Sequence, residues 1–320
     1  MDNLTHSLVG WALAETGLKR RTRKGLAACV LAANMPDIDV FFGWVPWAPL
    51  AMHRGFTHGL VGGVLLMPPL LAGLLWLLDR WQIRRGAVFR SGLSMHLGWL
   101  VALSYLGALT HPLLDLQNTY AVQLLSPIST TWFHADGLFI VSPWLLAMLG
   151  IGIWLARRRE RGVPAIVALA AAAVFIAINI GVSMLAGKAV ASLPNGQRAD
   201  RIFASPQALL FWRRDMIWRQ YGTMYFSRYD PLSDRVHLAG VDNALADRMD
   251  EPEVRRAATA TPQVRKFLAW SQMPVARIER HGCYTTVTFG DARYSGPALS
   301  GNFKASVTMP AQAPGCSGPR

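Results

Sequence analysis

The chain has 320 residues, of which 52% are hydrophobic and only 16% are charged. Soluble domains typically contain about 25% charged residues, so the composition excludes a disordered protein and argues against an ordinary soluble enzyme. Lysine and arginine total 32 against 19 acidic residues, and the formal net charge of +13 favours nucleic acid or an anionic membrane surface as a partner.

Apolar stretches dominate the first 187 residues. Two short stretches, at 4–18 and 25–35, have fewer than the roughly 20 residues that a helix needs to cross a bilayer. They are predicted to form either half-buried helices or short tilted spans. Four longer stretches are predicted to span the membrane: 60–78, 93–109, 138–156 and 163–187. Pro68 and Pro69 predict a kink in the first of these.

From about residue 188 the sequence is more polar and rich in turn formers, which predicts a separate domain. Its predicted helices lie at 252–258 and 262–272, and its predicted strands at 222–227, 275–280, 284–289 and 303–309. The fold class is therefore mainly α. It is a polytopic helical membrane bundle of four long spans and two short N-terminal helices over 1–187, followed by a smaller mixed α/β extramembrane domain over 188–320.

Basic residues form three tight clusters, at 19–24, 80–90 and 157–161. They occupy alternate connections, and the intervening segments contain a single basic residue, Arg54. By the positive-inside rule the clusters are cytoplasmic and the C-terminal domain is periplasmic, where Cys283 and Cys316 could pair. The clusters flank apolar spans and lack interleaved aromatic residues, so nucleic acid is not the expected partner. The alternative is that they are simply solvated loops.

Six of the eight histidines lie in the first 134 residues, and several have acidic neighbours. Ionisable groups near a membrane are costly and are therefore functional candidates. By the charge-based topology, five such pieces of sequence emerge on one face, containing His6, Asp37 with Asp39, His53 with His58, His111 with Asp115, and His134 with Asp136.

The spacing of these residues suits a metal. His111 and Asp115 are four residues apart and share one face of a helix. Asp37 and Asp39 follow a proline, and both carboxylates can reach one centre from an extended segment or turn. Imidazoles and carboxylates together suit zinc, with manganese or iron as alternatives, and one or two ions.

Each piece also has a purely structural interpretation. Asp37 and Asp39 could cap a helix end, His6 could be an interfacial residue, and His134 with Asp136 could be loop residues. His96 is predicted to be a core residue within a span, and Glu15 to face the interface near Lys19. Thr57 could cap the helix that starts near His58.

Four strings, THSLVG, NMPDID, HRGFTHGL and HPLLD, occur in this order within residues 1–145. They resemble the YdjM-like family of bacterial inner-membrane proteins, which are described as membrane-bound metal-dependent hydrolases. The resemblance implies a multi-pass inner-membrane protein with a metal site built from His6, Asp37, Asp39, His53, His58, His111 and Asp115. The hydrolase description itself is based on a distant similarity to zinc-dependent phospholipase C enzymes, which use a His-x-x-x-Asp helix pair at a multi-metal centre. The resemblance implies no role for the tail after residue 188.

The leading hypothesis is a metal-dependent hydrolase at the outer face of the inner membrane, acting on a phospholipid or lipid-linked phosphate. Asp39 or Asp136 would act as general base, and Arg54 would pair with a phosphate or carboxylate of the substrate. Membrane lipids are the expected partners, and protein partners are left open.

Two other functions are considered. The alternative is a non-catalytic membrane protein with a structural metal site and a partner-binding C-terminal domain. A transporter is disfavoured, because the polar residues cluster at one edge of the membrane and no inverted repeat is apparent.

Overall fold

The computed structural model describes residues 1–42, 53–192, 199–232, 237–238, 244–295 and 303–311. These residues form two compact units. The first unit contains 1–42, 53–183 and 205–212, and the second contains the other described residues from 184 onward. The chain passes into the second unit at residue 184, within the last turns of the helix that ends at Ala191, and residues 205–212 belong to the first unit again.

The described part of the first unit is built from α-helices. They are α1 (Asn3–Glu15), α2 (Gly25–Asn34), α3 (Met67–Arg84), α4 (Leu97–Asp115), α5 (Pro143–Arg159) and α6 (Val163–Ala191). Asp2 caps α1 by accepting a hydrogen bond from the backbone of Thr5, and Ser142 caps α5. A 3₁₀ segment (Met35–Phe42) follows α2, and π-helical turns (Leu60–Leu66) precede α3. The helix type changes from π to α next to Pro68 and Pro69, at which the sequence predicts a kink.

Three helical segments of the described chain are long and apolar enough to cross a membrane: Leu60–Arg84, Leu97–Asp115 and Val163–Ala191. The predicted span 138–156 corresponds to α5, which is not among them, because α5 begins only at Pro143 and ends in three arginines. The two predicted short helices are α1 and α2, with 13 and 10 residues. Their lengths are about 20 and 15 Å, against a hydrocarbon core of about 30 Å.

The three basic clusters lie at one end of the first unit. Arg23 of the first cluster approaches Asp79, next to the second cluster, with 3.4 Å between Nη1 and Oδ2. Arg20 of the first cluster and Arg157 of the third line the same cavity. The helices therefore run back and forth between this basic end and the opposite end, as the alternation of charge along the sequence predicts.

Small residues let α2 pack tightly between α1 and α4. A Cβ added to Gly10 of α1 would lie 2.6 Å from the Cys29 carbonyl oxygen, and one added to Gly107 of α4 would lie 2.5 Å from the same atom. Close backbone approach at small residues is typical of membrane helix packing. Cys29 is fully buried and has a free thiol, which confirms its prediction as a core residue.

The second unit contains antiparallel sheet and short helices. Its described strands are β1 (Arg201–Pro206), β2 (Arg214–Gln220), β3 (Thr223–Tyr229), β4 (His237–Leu238), β5 (Ala244–Ala246), β6 (Pro274–His281), β7 (Tyr284–Asp291) and β8 (Lys304–Pro310). Its helices are α7 (Pro252–Ala260), α8 (Pro262–Trp270) and α9 (Ala292–Ser295). One sheet has the order β1-β2-β3-β4 with β5 paired to β3, and the other has the order β6-β7-β8.

This second unit confirms the predicted strands and the mixed α/β character. It adds elements that the sequence analysis did not identify: β1, β2, β4, β5 and α9. Thr261 caps α8 by accepting from the backbone of Val264. Cys283, between β6 and β7, is disulfide-bonded. Its predicted partner, Cys316, lies outside the described residues.

Candidate metal centre

Four buried ionisable side chains converge in the first unit. Asp37 comes from the 3₁₀ segment after α2, His58 from the loop before α3, and His111 and Asp115 from the last turns of α4. One ligand atom from each lies within 4.8 Å of all the others. These four residues are termed the quartet. The sequence predicted all four as metal ligands.

The quartet has separations that suit a single ion. Nε2 of His58 lies 3.1 Å from Oδ1 of Asp37 and 3.3 Å from Oδ2 of Asp115. Nε2 of His111 lies 3.6 Å and 3.3 Å from the same two oxygens. Four ligands about 2.1 Å from a tetrahedral ion are about 3.4 Å apart. The four distances between an imidazole and a carboxylate are therefore close to those between the ligands of one ion.

Hydrogen bonds on the far side of each imidazole point its Nε2 into the quartet. Nδ1 of His111 donates to the Ala33 carbonyl oxygen at 2.7 Å. The Thr57 hydroxyl donates to Asp39 at 2.8 Å, so it accepts from Nδ1 of His58 at 3.0 Å. With both protons on Nδ1, both Nε2 lone pairs face the quartet, as metal-binding imidazoles require.

Several quartet atoms have unused bonding capacity. Among the described residues, Oδ2 of Asp37, Nε2 of His111 and Oδ2 of Asp115 have no hydrogen-bond partner. Each unsatisfied buried polar atom costs about 1–3 kcal/mol, and a cation in the quartet would satisfy Nε2 of His111 and Oδ2 of Asp115. The quartet could therefore hold a divalent metal.

Asp39 and His53 lie on the other side of His58. Asp39 accepts from Nδ1 of His53 at 2.9 Å and from the backbone N–H of Arg54 at 3.2 Å, besides the Thr57 hydroxyl. Asp39, His53 and His58 make a second group with possible ligand atoms within 4.8 Å. Because a neutral imidazole has only one lone-pair nitrogen, His58 serves one of the two groups at a time.

His6 and Arg54 contact the quartet through Asp115. The His6 ring stacks on His111 with 3.9 Å between centroids, and its Nε2 lies 3.5 Å from Oδ1 of Asp115. Nη2 of Arg54 lies 3.2 Å from this Oδ1, which the amino group of Met1 also contacts. Cationic groups thus contact Oδ1, while Oδ2 faces the two quartet histidines.

Helix packing fixes where the two stacked histidines meet. His6 lies one turn before Gly10 in α1, and His111 lies one turn after Gly107 in α4. Both glycines touch α2 at Cys29. Because residues four apart share a helix face, the contact at Cys29 brings the two imidazoles together one turn away.

The model of the YdjM inner membrane protein family matches residues 1–185. The chain belongs to this family. The match covers more than half of the chain, confirms the resemblance seen in the four sequence strings, and extends it past residue 145. Neither a curated protein nor a solved structure matches the chain.

The remaining candidates of this YdjM family member lie apart from the quartet. Asp136 pairs with His134, with 3.0 Å between Oδ1 and Nδ1, and belongs to neither ligand group of the described residues. His96 is exposed and bonds to Ser94 at 2.7 Å, so its prediction as a core residue is wrong, because α4 begins only after it. Glu15, which was predicted to face the interface near Lys19, is buried and pairs with Lys19 at 2.5 Å.

Sequence reasoning missed two contributors to the centre. Thr57 was predicted as a helix cap, but its hydroxyl bridges Asp39 and His58, and Gly59 occupies the cap position. Its place between two site residues in the string HRGFTH was the available clue. The role of the Ala33 carbonyl could not be predicted from the sequence, because every residue has a backbone carbonyl.

Proposed function

We propose that the chain is a membrane-bound metal-dependent hydrolase whose single divalent ion is held by Asp37, His58, His111 and Asp115. The observation that carries this proposal is the buried quartet, with two Nε2 atoms and two carboxylates converging within 4.8 Å. Mixed imidazole and carboxylate ligands favour zinc, with manganese or iron as alternatives. A bound ion of this kind would lower the pKa of a water that binds as a fifth ligand, and it would polarise a phosphoryl or acyl oxygen.

Arg54 supports an anionic substrate. Its side chain is only 3% exposed, and its guanidinium carbon lies 4.7 Å from the centroid of the Tyr120 ring. Nε and Nη1 have no hydrogen-bond partner among the described residues. Buried N–H donors beside a metal centre suit a phosphate or carboxylate, to which an arginine can donate two parallel hydrogen bonds.

His53 and Asp39 are assigned to proton transfer. Nδ1 of His53 bonds to Asp39, which leaves Nε2 available, and the side chain is 26% exposed. A histidine oriented by a carboxylate is a common general base. In this assignment Asp39 positions His53 and His58 and is neither the base itself nor a quartet ligand. Asp136 pairs with His134 and lacks a described contact to the quartet, so the assignment leaves it out.

The proposal places the centre near the periplasmic face. The basic clusters lie at the other end of the first unit, and the positive-inside rule makes that end cytoplasmic. The disulfide at Cys283 supports a periplasmic second unit, because disulfides persist in oxidising compartments. In this topology α5 is a fourth span, since it runs between the same two ends as its neighbours.

The depth of the candidate metal centre in the membrane favours a lipid substrate. His111 is 14 residues after Leu97, or about 21 Å along α4, within a hydrocarbon core of about 30 Å. The centre would then lie inside the outer leaflet, where a phospholipid or lipid-linked phosphate can reach it from the side.

A second candidate function is a non-catalytic protein with a structural metal and a partner-binding second unit. The observation in its favour is that four protein ligands at tetrahedral separations would close the coordination shell, as structural sites do. Arg54 speaks against it, because a structural ion does not need buried, unpartnered N–H donors beside it.

Metal content and hydrolysis, measured on the same purified full-length protein, test the proposal. We expect about one divalent ion per chain, and release of phosphate or fatty acid from phosphatidylglycerol or phosphatidic acid micelles. His111→Ala should lose both the ion and the activity, whereas the exposed His96→Ala should keep both. His53→Ala should keep the ion and lose most of the turnover.

The outcomes separate the two candidates. A stoichiometric ion whose chelation lowers thermal stability without any turnover on these lipids would support the structural site. Protein that binds no ion even after reloading would refute both.

A further inference from the structure

Two adjoining cavities lie at the basic end of the first unit, away from the quartet. The first has a volume of about 350 Å³ and is lined mainly by charged side chains from the ends of α1 and α5. The second has a volume of about 720 Å³ and is lined mainly by apolar side chains of the same two helices. Arg157 lines both, so the two cavities meet at its side chain.

The first cavity, termed the charged cavity, has an excess of positive charge. Its cationic side chains are Lys19, Arg20, Arg157 and Arg161, and its acidic ones are Glu15 and Glu160. Lys19 is paired with Glu15 at 2.5 Å. The three arginines form no ion pair with any other described residue. They are therefore available to an anion.

The second cavity, termed the apolar groove, runs from these arginines toward the middle of the helices. Leu8 and Trp11 of α1 line one side, and Ile153 and Trp154 of α5 line the other. The guanidinium of Arg157 lies over Trp11 at 5.5 Å, and that of Arg158 lies over Trp154 at 5.3 Å. The charges thus stand at one end of an apolar surface.

We propose that the charged cavity and the apolar groove together bind one anionic glycerophospholipid. The phosphate of the headgroup pairs with Arg157 and Arg161, and an acyl chain lies between Trp11 and Trp154. The occupant is inferred from charge complementarity and from the position of the apolar groove beside the charged cavity, since a free phosphate would leave the apolar groove empty. Basic pockets between helices at the cytoplasmic side of a membrane suit anionic lipid headgroups. This site is independent of the metal centre.

Native mass spectrometry of the detergent-purified full chain, titrated with dioleoyl phosphatidylglycerol or phosphatidylcholine, tests the proposal. We expect one phosphatidylglycerol bound at least tenfold more tightly than phosphatidylcholine. Arg157→Ala/Arg161→Ala should lower this affinity about tenfold or more. Arg80→Ala/Arg84→Ala removes the same charge at the same end and should change the affinity less than threefold.

A charge-neutral variant tests the acyl chain. Gly150 lines the groove, and a Cβ added to it meets nothing within 4 Å, so Gly150→Leu fills the groove without disturbing the helices. It should weaken phosphatidylglycerol binding about tenfold. Gly181→Leu, at another open position, is the matched control and should not.

Three results would overturn the proposal. If the two double arginine variants lost the same affinity for phosphatidylglycerol, general electrostatic attraction would explain the binding. If the Gly150→Leu variant bound phosphatidylglycerol with full affinity, the apolar groove would not hold the acyl chain. Complete competition by millimolar inorganic phosphate would assign the charged cavity to a free anion.

Discussion

Substitution of Gly107 by alanine should disrupt the metal centre without touching any of its ligands. The added Cβ would lie 2.5 Å from the Cys29 carbonyl oxygen and 3.0 Å from Cβ of Ala32, where ordinary contacts are 3.4–4 Å. Helix α4 must therefore move about 1 Å away from α2. Overpacking of this kind costs about 1–3 kcal/mol.

The same shift reaches the centre one turn away. It stretches the 2.7 Å hydrogen bond from His111 to the Ala33 carbonyl, which fixes the imidazole. Loss of such an outer contact typically lowers metal affinity about 10–100-fold. The measurements are thermal unfolding in detergent, with and without added zinc, and metal content by elemental analysis.

Gly98→Ala is the matched control on the same helix, because a Cβ at Gly98 meets nothing within 4 Å. Alanine there should leave metal content unchanged and stabilise the helix by up to about 1 kcal/mol. If Gly107→Ala matched Gly98→Ala in stability and metal content, the contact of α2 with α4 would not position the centre.

Two further predictions concern the loop before α3 and the second unit. A Cβ at Gly63 would lie 2.2 Å from a carbonyl oxygen of the site loop, so Gly63→Ala should lose metal by elemental analysis, while Gly73→Ala, in open space, should keep it. In the second unit, burial alone would raise the pKa of Asp291, but Arg293 holds it below its ordinary value. This contribution to stability is present above the unfolded pKa of about 4 and is lost as pH falls through the lower folded value. The Asp291→Asn variant should therefore be less stable than the unchanged protein by about 3 kcal/mol at neutral pH. On acidification it should lose less of its free energy of unfolding than the unchanged protein does. Pulse hydrogen exchange of β6 and β7 measures this, with the exposed Asp250→Asn as control; equal exchange in both variants would refute it.

Much of the first unit could be predicted from local patterns. The charge clusters indicated which connections share an end, because each cluster follows or precedes an apolar helix. His111 and Asp115 were readable as a pair, because helix geometry alone places residues four apart side by side. Three candidate spans and both short N-terminal helices also followed from runs of apolar residues.

Roles that depend on orientation could not be predicted in the same way. Asp37 and Asp39 are two residues apart and chemically equivalent, yet one faces Nε2 of His58 and the other faces its Nδ1 side. Only the fold decides which side of an imidazole each carboxylate meets. The start of α5 was missed for a related reason, since the apolar residues before Pro143 continue the hydrophobic run without continuing the helix.

Helix α2 shows why a search for reactive residues alone would not explain the centre. It contributes no ligand, yet its Cys29 carbonyl touches both Gly10 and Gly107, and its Ala33 carbonyl orients His111. Its sequence, GLAACVLAAN, is made almost entirely of small and aliphatic residues. Such a helix lets two neighbours approach its backbone closely, so its own carbonyl groups become available to them. The geometry of the candidate metal centre therefore depends as much on the small side chains of α2 as on the histidines and aspartates.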